Sequence, residues 1–308
     1  YRIKPVRIEA DGRWTYSPGF PEPAEGPTAT TDAGRALACL VDDRVEVVFL
    51  ALHGTGGEDG SIQGFLDVAG LPYTGSDVYG SALAMDKIRT KEILDHRRIP
   101  TPAWTAVRPD EWLAGRRTIL RRAARLGLPV VAKSPRLGST VGIEVVRESA
   151  RLGPAIDDLL ALGPAVLLER YIDGMELTCG VLDGTPLPPT EIVPPGDGFF
   201  DYEAKYTPGA TVEITPARLA PAKIEEVQKI ALAVHVALGL AGYSRTDLRM
   251  SSDGRLYVLE TNTLPGMTPT SLFPQAAAAA GIAFPALLDR LGEAAMRGRV
   301  REGMRAAS

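Results

Sequence analysis

The segment Tyr243–Asn262 carries Arg245, Asp247, Glu260 and Asn262 at spacings that strand geometry can interpret. Asp253-Gly254, between two strand-like runs, is a two-residue hairpin signal. With that turn Ser252 faces Arg255, Asp247 faces Glu260, and Arg245 faces Asn262. A three-residue loop would shift the pairing by one. Directly opposed residues share a face of the sheet, as do residues two apart, so all four polar groups form one patch. Opposed carboxylates with Cβ atoms roughly 5 Å apart repel each other. A hard divalent cation removes that repulsion, and magnesium prefers carboxylate and amide oxygens shared with substrate phosphates. The arginine suits an anion held by the same metal. The plainer alternative is a solvent-facing polar side of an edge hairpin.

Other segments add phosphate chemistry. Lys133 ends the apolar run Pro129-Val-Val-Ala-Lys133, and Gly138-Ser139-Thr140-Val141-Gly142 is a small polar loop whose amides suit phosphate oxygens. The stretch from Pro194 to Val212 has no evident secondary structure, and loops of that length are usually functional or disordered. The apolar run Val45–Leu52 is the pattern of a strand in a parallel sheet covered on both faces. It opens into His53-Gly-Thr-Gly-Gly-Glu-Asp-Gly60, followed by a helix over Ser61–Ala69. That is half of a doubly wound domain, with ligands expected at the strand end. Taken alone, Lys87 and Lys133 read as solvated lysines, His53 as structural, and Ser271 as a helix N-cap.

The elements that must position these groups alternate along the chain. Tyr1–Ile8 reads as a strand ending at the turn Asp11-Gly12, and residues 13–31, rich in Pro, Gly and Thr, as surface loop. Helices are expected over Lys87–Arg98, Asp110–Leu126 and Ala150–Leu162, with strands at Pro129–Lys133, Val141–Val146, Ala165–Ile172 and Leu177–Leu182. An amphipathic helix follows with Ile224, Val227, Ile230, Ala231, Val234 and Leu238 on one face. The hairpin and two closing helices complete the chain. At 308 residues it can build two or three cores. Its 45% hydrophobic and 23% charged residues describe a globular protein. The net charge of -4 carries no basic excess of the kind nucleic acid selects. No apolar run reaches a membrane span and no signal-peptide pattern precedes the fold, so the cytoplasm is the expected location. Cys39 and Cys179 read as two reduced core thiols.

Taken together, these residues resemble a known family. Glu260-Thr-Asn262-Thr-Leu-Pro-Gly266-Met-Thr-Pro-Thr-Ser271-Leu272 is similar to the metal and substrate segment of D-alanine–D-alanine ligases, members of the ATP-grasp superfamily. Ala51–Gly60, Ser81–Lys87, Lys133–Gly142 and Asp201–Tyr206 match in the same order. The resemblance implies an ATP-grasp fold: a doubly wound N-terminal domain over residues 1–85, a small central lid domain over 86–168, and a C-terminal mixed-sheet catalytic domain over 169–308. It implies ATP between the last two domains and two magnesium ions, with manganese as a substitute. One D-alanine is activated as an acyl phosphate, which the amine of a second D-alanine attacks. A homodimer, with D-alanine and ATP as small-molecule substrates and neither nucleic acid nor membrane as partner, is the assembly implied.

By this resemblance Asp247, Glu260 and Asn262 are metal ligands. Arg245 steadies the tetrahedral intermediate, with Ser139, Tyr206 and Gly266 also in the catalytic set. Lys87, Lys133, Ser139 and Lys205 belong to the nucleotide site. Backbone groups from Glu169 through Arg170 to Ile172 bind adenine, and Glu176 holds the ribose. His53 lies near the first D-alanine carboxylate, with Glu58 ordering its turn, while Ser271 and Leu272 receive the second carboxylate at a helix N-terminus. Ser139 and Tyr206 link two loops into a lid that excludes water. Tyr206 in Glu-Ala-Lys-Tyr is the dipeptide-forming version, which favours an amine nucleophile.

The sequence departs from the family at Thr140, where a second serine is usual, and at Lys133-Ser134-Pro135, where the proline is displaced by one. It opens at what resembles the family's second strand. A strand–loop–helix unit of roughly 30 residues, carrying a glutamate for the first substrate's amine, is expected ahead of it. Rival readings are a ligase of related specificity (D-serine, D-lactate or a specialised-metabolite dipeptide) and a nucleotide-binding regulatory module without catalysis. The absence of G-x-x-x-x-G-K-[ST] disfavours a P-loop kinase, and the turn after Leu52 lacks the spacing of a Rossmann dehydrogenase.

Overall fold

The computed structural model describes residues 1–17, 29–137, 142–193 and 212–306, the last few of these by backbone alone. Its first sheet is an antiparallel meander of β1 (Val6–Ile8), β2 (Trp14–Tyr16) and β3 (Ala29–Thr31). The expected opening strand is thus shorter, and the expected surface loop contains two strands. Trp14 explains the difference: it is buried and meets Phe65 edge-on with ring centroids 5.9 Å apart, so packing outweighs the surrounding Pro and Gly.

Helix α1 (Ala33–Asp42) starts at Asp32, whose carboxylate accepts from Arg35 N at 2.9 Å. The apolar run Val45–Leu52 does not form the expected strand. Among the described residues it makes one parallel bridge, Val48 to Tyr73. Val48 N–H donates to Pro72 O at 2.8 Å and Thr74 N–H to Val48 O at 3.0 Å, but Leu50 N–H turns to the Thr74 hydroxyl at 3.0 Å. A side chain thereby takes the donor that the next ladder rung needs. Helices α2 (Ser61–Ala69), α3 (Val78–Met85) and α4 (Lys87–Arg97) follow, α3 capped by Asp77 and α4 by Asp86.

The central unit is the antiparallel sheet β4-β7-β5-β6, formed by β4 (Trp104–Val107), β5 (Val130–Lys133), β6 (Ile143–Val146) and β7 (Val166–Arg170). Helices α5 (Pro109–Ala124) and α6 (Ser149–Leu160) cover one face. Strand alternation sends Val130, Ala132, Val166 and Leu168 into the core with Trp112, Ile119 and Ile156. The same alternation leaves Lys133, Val131 and Glu169 on the opposite face, where they line a cleft.

The other side of that cleft is a second sheet, ordered β11-β10-β8-β12-β13 with β9 on β8. Its strands are β8 (Gly174–Leu182), β9 (Thr185–Pro186), β10 (Thr190–Val193), β11 (Val212–Ile214), β12 (Tyr243–Ser251) and β13 (Leu256–Asn262). Helix α7 (Pro221–Ala237) buries Val227, Ala231 and Val234 against Leu177, Val181, Leu248 and Val258, the apolar face read from its periodicity. Helices α8 (Leu272–Ala279) and α9 (Phe284–Ala306) close the chain. Among the described residues no single helix is long and apolar enough to cross a membrane. Cys39 and Cys179 are both free; Cys179 is buried, which pushes its thiol up to about 12, whereas Cys39 is only partly buried.

His235, in the last turn of α7, is buried with Nδ1 2.8 Å from Ser244 Oγ, and burial holds its imidazole below the ordinary value. The fold therefore prefers neutral His235, while the unfolded chain takes up a proton near pH 6.5. Stability tied to this residue is complete above that pH and falls as acid carries the solution toward the folded-state value. Denaturant midpoints at several pH values between neutrality and mild acid check this. The wild type should lose more than His235→Gln; equal losses would contradict it.

Candidate active site

The hairpin places Asp247 opposite Glu260 and Arg245 opposite Asn262, as expected, but by another route. The turn has three residues, not two. Ser251 N–H donates to Arg255 O at 2.9 Å and Gly254 N–H to Ser251 O at 2.8 Å, with Gly254 at φ 80°. A three-residue loop ending in a left-handed glycine is a standard alternative to the two-residue turn. It shifts the pairing by one, so that Leu248 faces Val258 and Met250 faces Leu256. A β-bulge at Leu259, between the Leu248–Val258 and Asp247–Glu260 pairs, then restores the original register. The bulge also decides where Glu260 points. Val258 lies in the core, so strict alternation would send Glu260 there too; the extra residue turns it to the cleft.

Each carboxylate of the pair has its own cation. Asp247 accepts from Arg245 Nε and Nη2, both at 2.9 Å, and from Thr178 Oγ1 on β8 at 2.7 Å. Glu260 Oε2 lies 3.2 Å from Lys87 Nζ, which also donates to Leu137 O at 3.0 Å. Burial opposes the Arg245 charge, but Asp247, Glu260 and Glu58 outweigh it and hold the guanidinium above its ordinary value. Glu58 accepts from Gly54 N at 2.5 Å, so it orders the glycine turn as expected. Burial raises its carboxyl above the usual range, and Glu260 adds to this, while the Gly54 hydrogen bond, His53 and Arg245 act against it. Asn262 Oδ1 accepts from Leu264 N at 3.2 Å and keeps a second lone pair. The oxygen donors gathered here, two carboxylates and an amide, fit a hard divalent cation. Among the described residues no third acidic, histidine or cysteine ligand joins them.

Across the cleft, Lys133 and Glu169 form a buried ion pair, and Lys91 of α4 pairs with the other Glu169 oxygen. Burial would raise the Glu169 carboxyl, but the two ammonium groups hold it below the usual range. The Glu169 side chain is therefore spent on lysines. The Arg170 guanidinium also turns away, donating to Leu126 O beyond α5 at 3.0 Å. Glu176 faces Arg249 across β8 and β12 and meets its Nη2 at 3.0 Å. Arg249 Nη1 reaches Ile172 O at 3.3 Å, and its guanidinium sits over the Tyr171 ring at 5.5 Å. One side chain thus ties together the segment expected at the adenine and the carboxylate expected at the ribose.

The displaced proline has a place in this frame. Lys87 N–H donates to Pro135 O at 3.0 Å and Ser134 N–H to Gly142 O at 2.8 Å, pinning the segment after β5 to the start of α4. His53 is exposed beside the glycine turn. Ser271 stands at the N-cap position of α8 but makes no side-chain cap; its hydroxyl instead lies 2.7 Å from Thr268 Oγ1 and accepts from Thr268 N at 3.1 Å. A Cβ at Gly266 would sit 2.9 Å from that hydroxyl, so a side chain there would press it out of its place against Thr268. Leu272 begins α8, partly buried. Ser139, Lys205 and Tyr206, with the loops that carry them, lie outside the described residues. Lys91, Thr101, Thr178 and Arg249 are the polar groups that sequence reasoning missed. Lys91 had one signal: Lys87, Lys91 and Leu94 share a helical face that the structure buries.

The family description "D-ala D-ala ligase C-terminus" matches residues 93–293, and "D-ala D-ala ligase N-terminus" matches residues 1–76. The chain belongs to the D-alanine–D-alanine ligase family. A D-alanine–D-alanine ligase from Desulfotalea psychrophila is 48% identical over 86% of this chain and 82% of its own length. One from Syntrophotalea carbinolica is 43% identical over 84% and 82%. Among solved structures, the Bacillus anthracis ligase complexed with ATP superposes with a TM-score of 0.73 at 35% identity, over 86% of this chain and 85% of that one. The Coxiella burnetii ligase gives 0.80 at 25% identity, over 100% and 88%. This D-alanine–D-alanine ligase family member therefore has the ATP-grasp fold, with its cleft between the two sheets.

Glu169→Gln would leave two buried ammonium groups against a neutral amide. The expected loss in unfolding free energy is about 3–5 kcal/mol, the scale for breaking a buried pair. Denaturant titration measures it. A loss under about 1 kcal/mol, the range of an exposed pair, would contradict the burial described.

Proposed function

We propose that this chain is an ATP-dependent D-alanine–D-alanine ligase, joining two D-alanine molecules for peptidoglycan precursors through a D-alanyl phosphate. The observation that carries this reading is the Asp247–Glu260 pair at the wall of a cleft that Lys133 also lines, with Arg245 bonded to Asp247, in a chain 48% identical to a ligase of that name. The relative complexed with ATP supports nucleotide in the same cleft.

In this reading Asp247, Glu260 and Asn262 hold magnesium, with manganese as a substitute; bound there, the cation offsets phosphate charge. The apolar slot of Val131, Ile143, Ile172 and Leu259 takes the adenine, with the backbone of Glu169–Ile172 along its edge. Glu176, held by Arg249, takes the ribose hydroxyls. Lys87 and Lys133 contact the phosphates as point charges. A D-alanine carboxylate oxygen attacks the γ-phosphorus, ADP leaves, and the carboxyl becomes an acyl phosphate. The amine of the second D-alanine attacks that carbonyl carbon, and inorganic phosphate leaves as the C–N bond is made. Arg245 is partly buried, carries its charge permanently, and is pre-oriented by two hydrogen bonds to Asp247. It therefore stabilises developing oxyanion charge without reorganising. His53 receives the first D-alanine carboxylate and Ser271, with the start of α8, the second. Ser139 and Tyr206 complete the lid, with Lys205 beside the phosphates.

The same reading divides the chain into residues 1–85, 86–168 and 169–308; the cluster around Trp112 and Ile156 lies wholly within the second part, while the other two large clusters draw on more than one part, and β7 runs two residues past the second boundary. It extends to a cytoplasmic homodimer. The test is release of ADP and phosphate with ATP, Mg²⁺ and D-alanine, set against L-alanine and D-lactate. D-alanine alone should give dipeptide and phosphate in equal amounts. Preference for D-lactate would move the chain to a related specificity, and no turnover with any of them would refute the ligase reading. Arg245→Met should lower kcat about 10²–10³-fold, as removal of one oxyanion donor does elsewhere.

A further inference from the structure

Lys91 is among the largest fully buried side chains of the molecule, with 0% of its surface exposed, and no role in the reaction described above uses it. Strand alternation puts Glu169 and Lys133 on the cleft face of their sheet; α4 brings Lys91 to the same carboxylate from the other side. The Lys91 ammonium donates to Thr101 Oγ1 at 2.5 Å, and Thr101 donates onward to Val258 O at 2.8 Å, on the hairpin strand that carries Glu260. Helix α4, the central sheet and the catalytic hairpin are therefore joined at one ammonium group.

The charge count in this cluster is uneven. Two buried ammonium groups share one buried carboxylate, each on a different oxygen. Burial alone would pull both lysines down. It does so for Lys91, whereas Glu169 and Glu260 together hold Lys133 above its ordinary value. Charges removed from water in this way persist only where partners compensate them. Of the two lysines, Lys133 lines the cleft and Lys91 does not. The surplus positive charge is thus presented to the cleft through Lys133.

We propose that Lys91 is a positioning residue for the nucleotide polyphosphate. By occupying one oxygen of Glu169, it stops that carboxylate from closing on Lys133 alone, and so leaves the Lys133 ammonium charge available to phosphate. Without Lys91, Glu169 and Lys133 become a self-neutralised pair, and the cleft loses the charge that selects a polyphosphate. The inference rests on Lys133 being a phosphate contact and deepens that reading.

Calorimetric titration with ATP and with AMP, at fixed Mg²⁺, separates the possibilities. Lys91→Met should weaken ATP binding about tenfold or more, the scale of one unit charge acting in a protein site, and AMP binding less than about twofold. In a Lys133→Met background, Lys91→Met should change ATP binding no further. Equal weakening of ATP and AMP, or additive effects in that background, would overturn the inference and leave Lys91 a fold-supporting residue. Unaltered ATP binding in Lys133→Met alone would instead overturn the phosphate reading of Lys133. Lys91→Gln keeps a donor for Thr101 without the charge; it is read in the same way and carries the test if Lys91→Met does not fold.

Discussion

Asp247 and Glu260 are fixed opposite each other by the ladder between β12 and β13, and the repulsion between them organises much of what surrounds the cleft. Asp247 is drawn to Arg245 and to the Thr178 hydroxyl; Glu260 is drawn to Lys87 at the start of α4. Those compensations reach different parts of the chain. The Lys87 backbone and side chain hold the segment after β5, and its helix carries Lys91 to the Glu169–Lys133 pair on the central sheet. Two sheets and a helix are thereby registered against one another by charge, around the cleft.

Much of this was legible in sequence because it follows from period and spacing. The burial of Val227, Ala231, Val234 and Leu238 on α7 and the placement of Lys133 and Glu169 on one face of the central sheet are consequences of helical and strand alternation. The carboxylate pair was also legible, though through two errors of opposite sign. A two-residue turn was expected where the chain makes three, and a bulge at Leu259 was not expected at all. Each shifts the register by one, so Asp247 still meets Glu260. Nothing in the local sequence marks Leu259 as a bulge. What requires it is the need to bury Val258 while turning Glu260, two residues on, to the cleft.

Other features depended on contacts between distant segments and left no local trace. Thr74 ends the ladder of the Val45–Leu52 run by taking Leu50 N–H from 24 residues away. Trp14 turns a segment rich in turn formers into a strand by packing on Phe65. Ser271 looked like a helix cap, yet its hydroxyl folds back to Thr268, in space that a side chain at Gly266 would contest. Arg249 carried no signal in the sequence; the register alone sets it across from Glu176. Family resemblance supplied roles that spacing could not, and the matches over residues 1–76 and 93–293 show that the family itself was correctly read.

We propose the opposed carboxylates as a cation site that nucleotide completes. Thermal unfolding with ATP, in Mg²⁺ and in EDTA, tests it most directly. The wild type should gain markedly more stability from ATP when Mg²⁺ is present. Neutralising the pair, as Asp247→Asn with Glu260→Gln, should abolish that increment while ATP in EDTA still binds. A neutralised pair that keeps the full Mg²⁺-dependent increment would contradict the account.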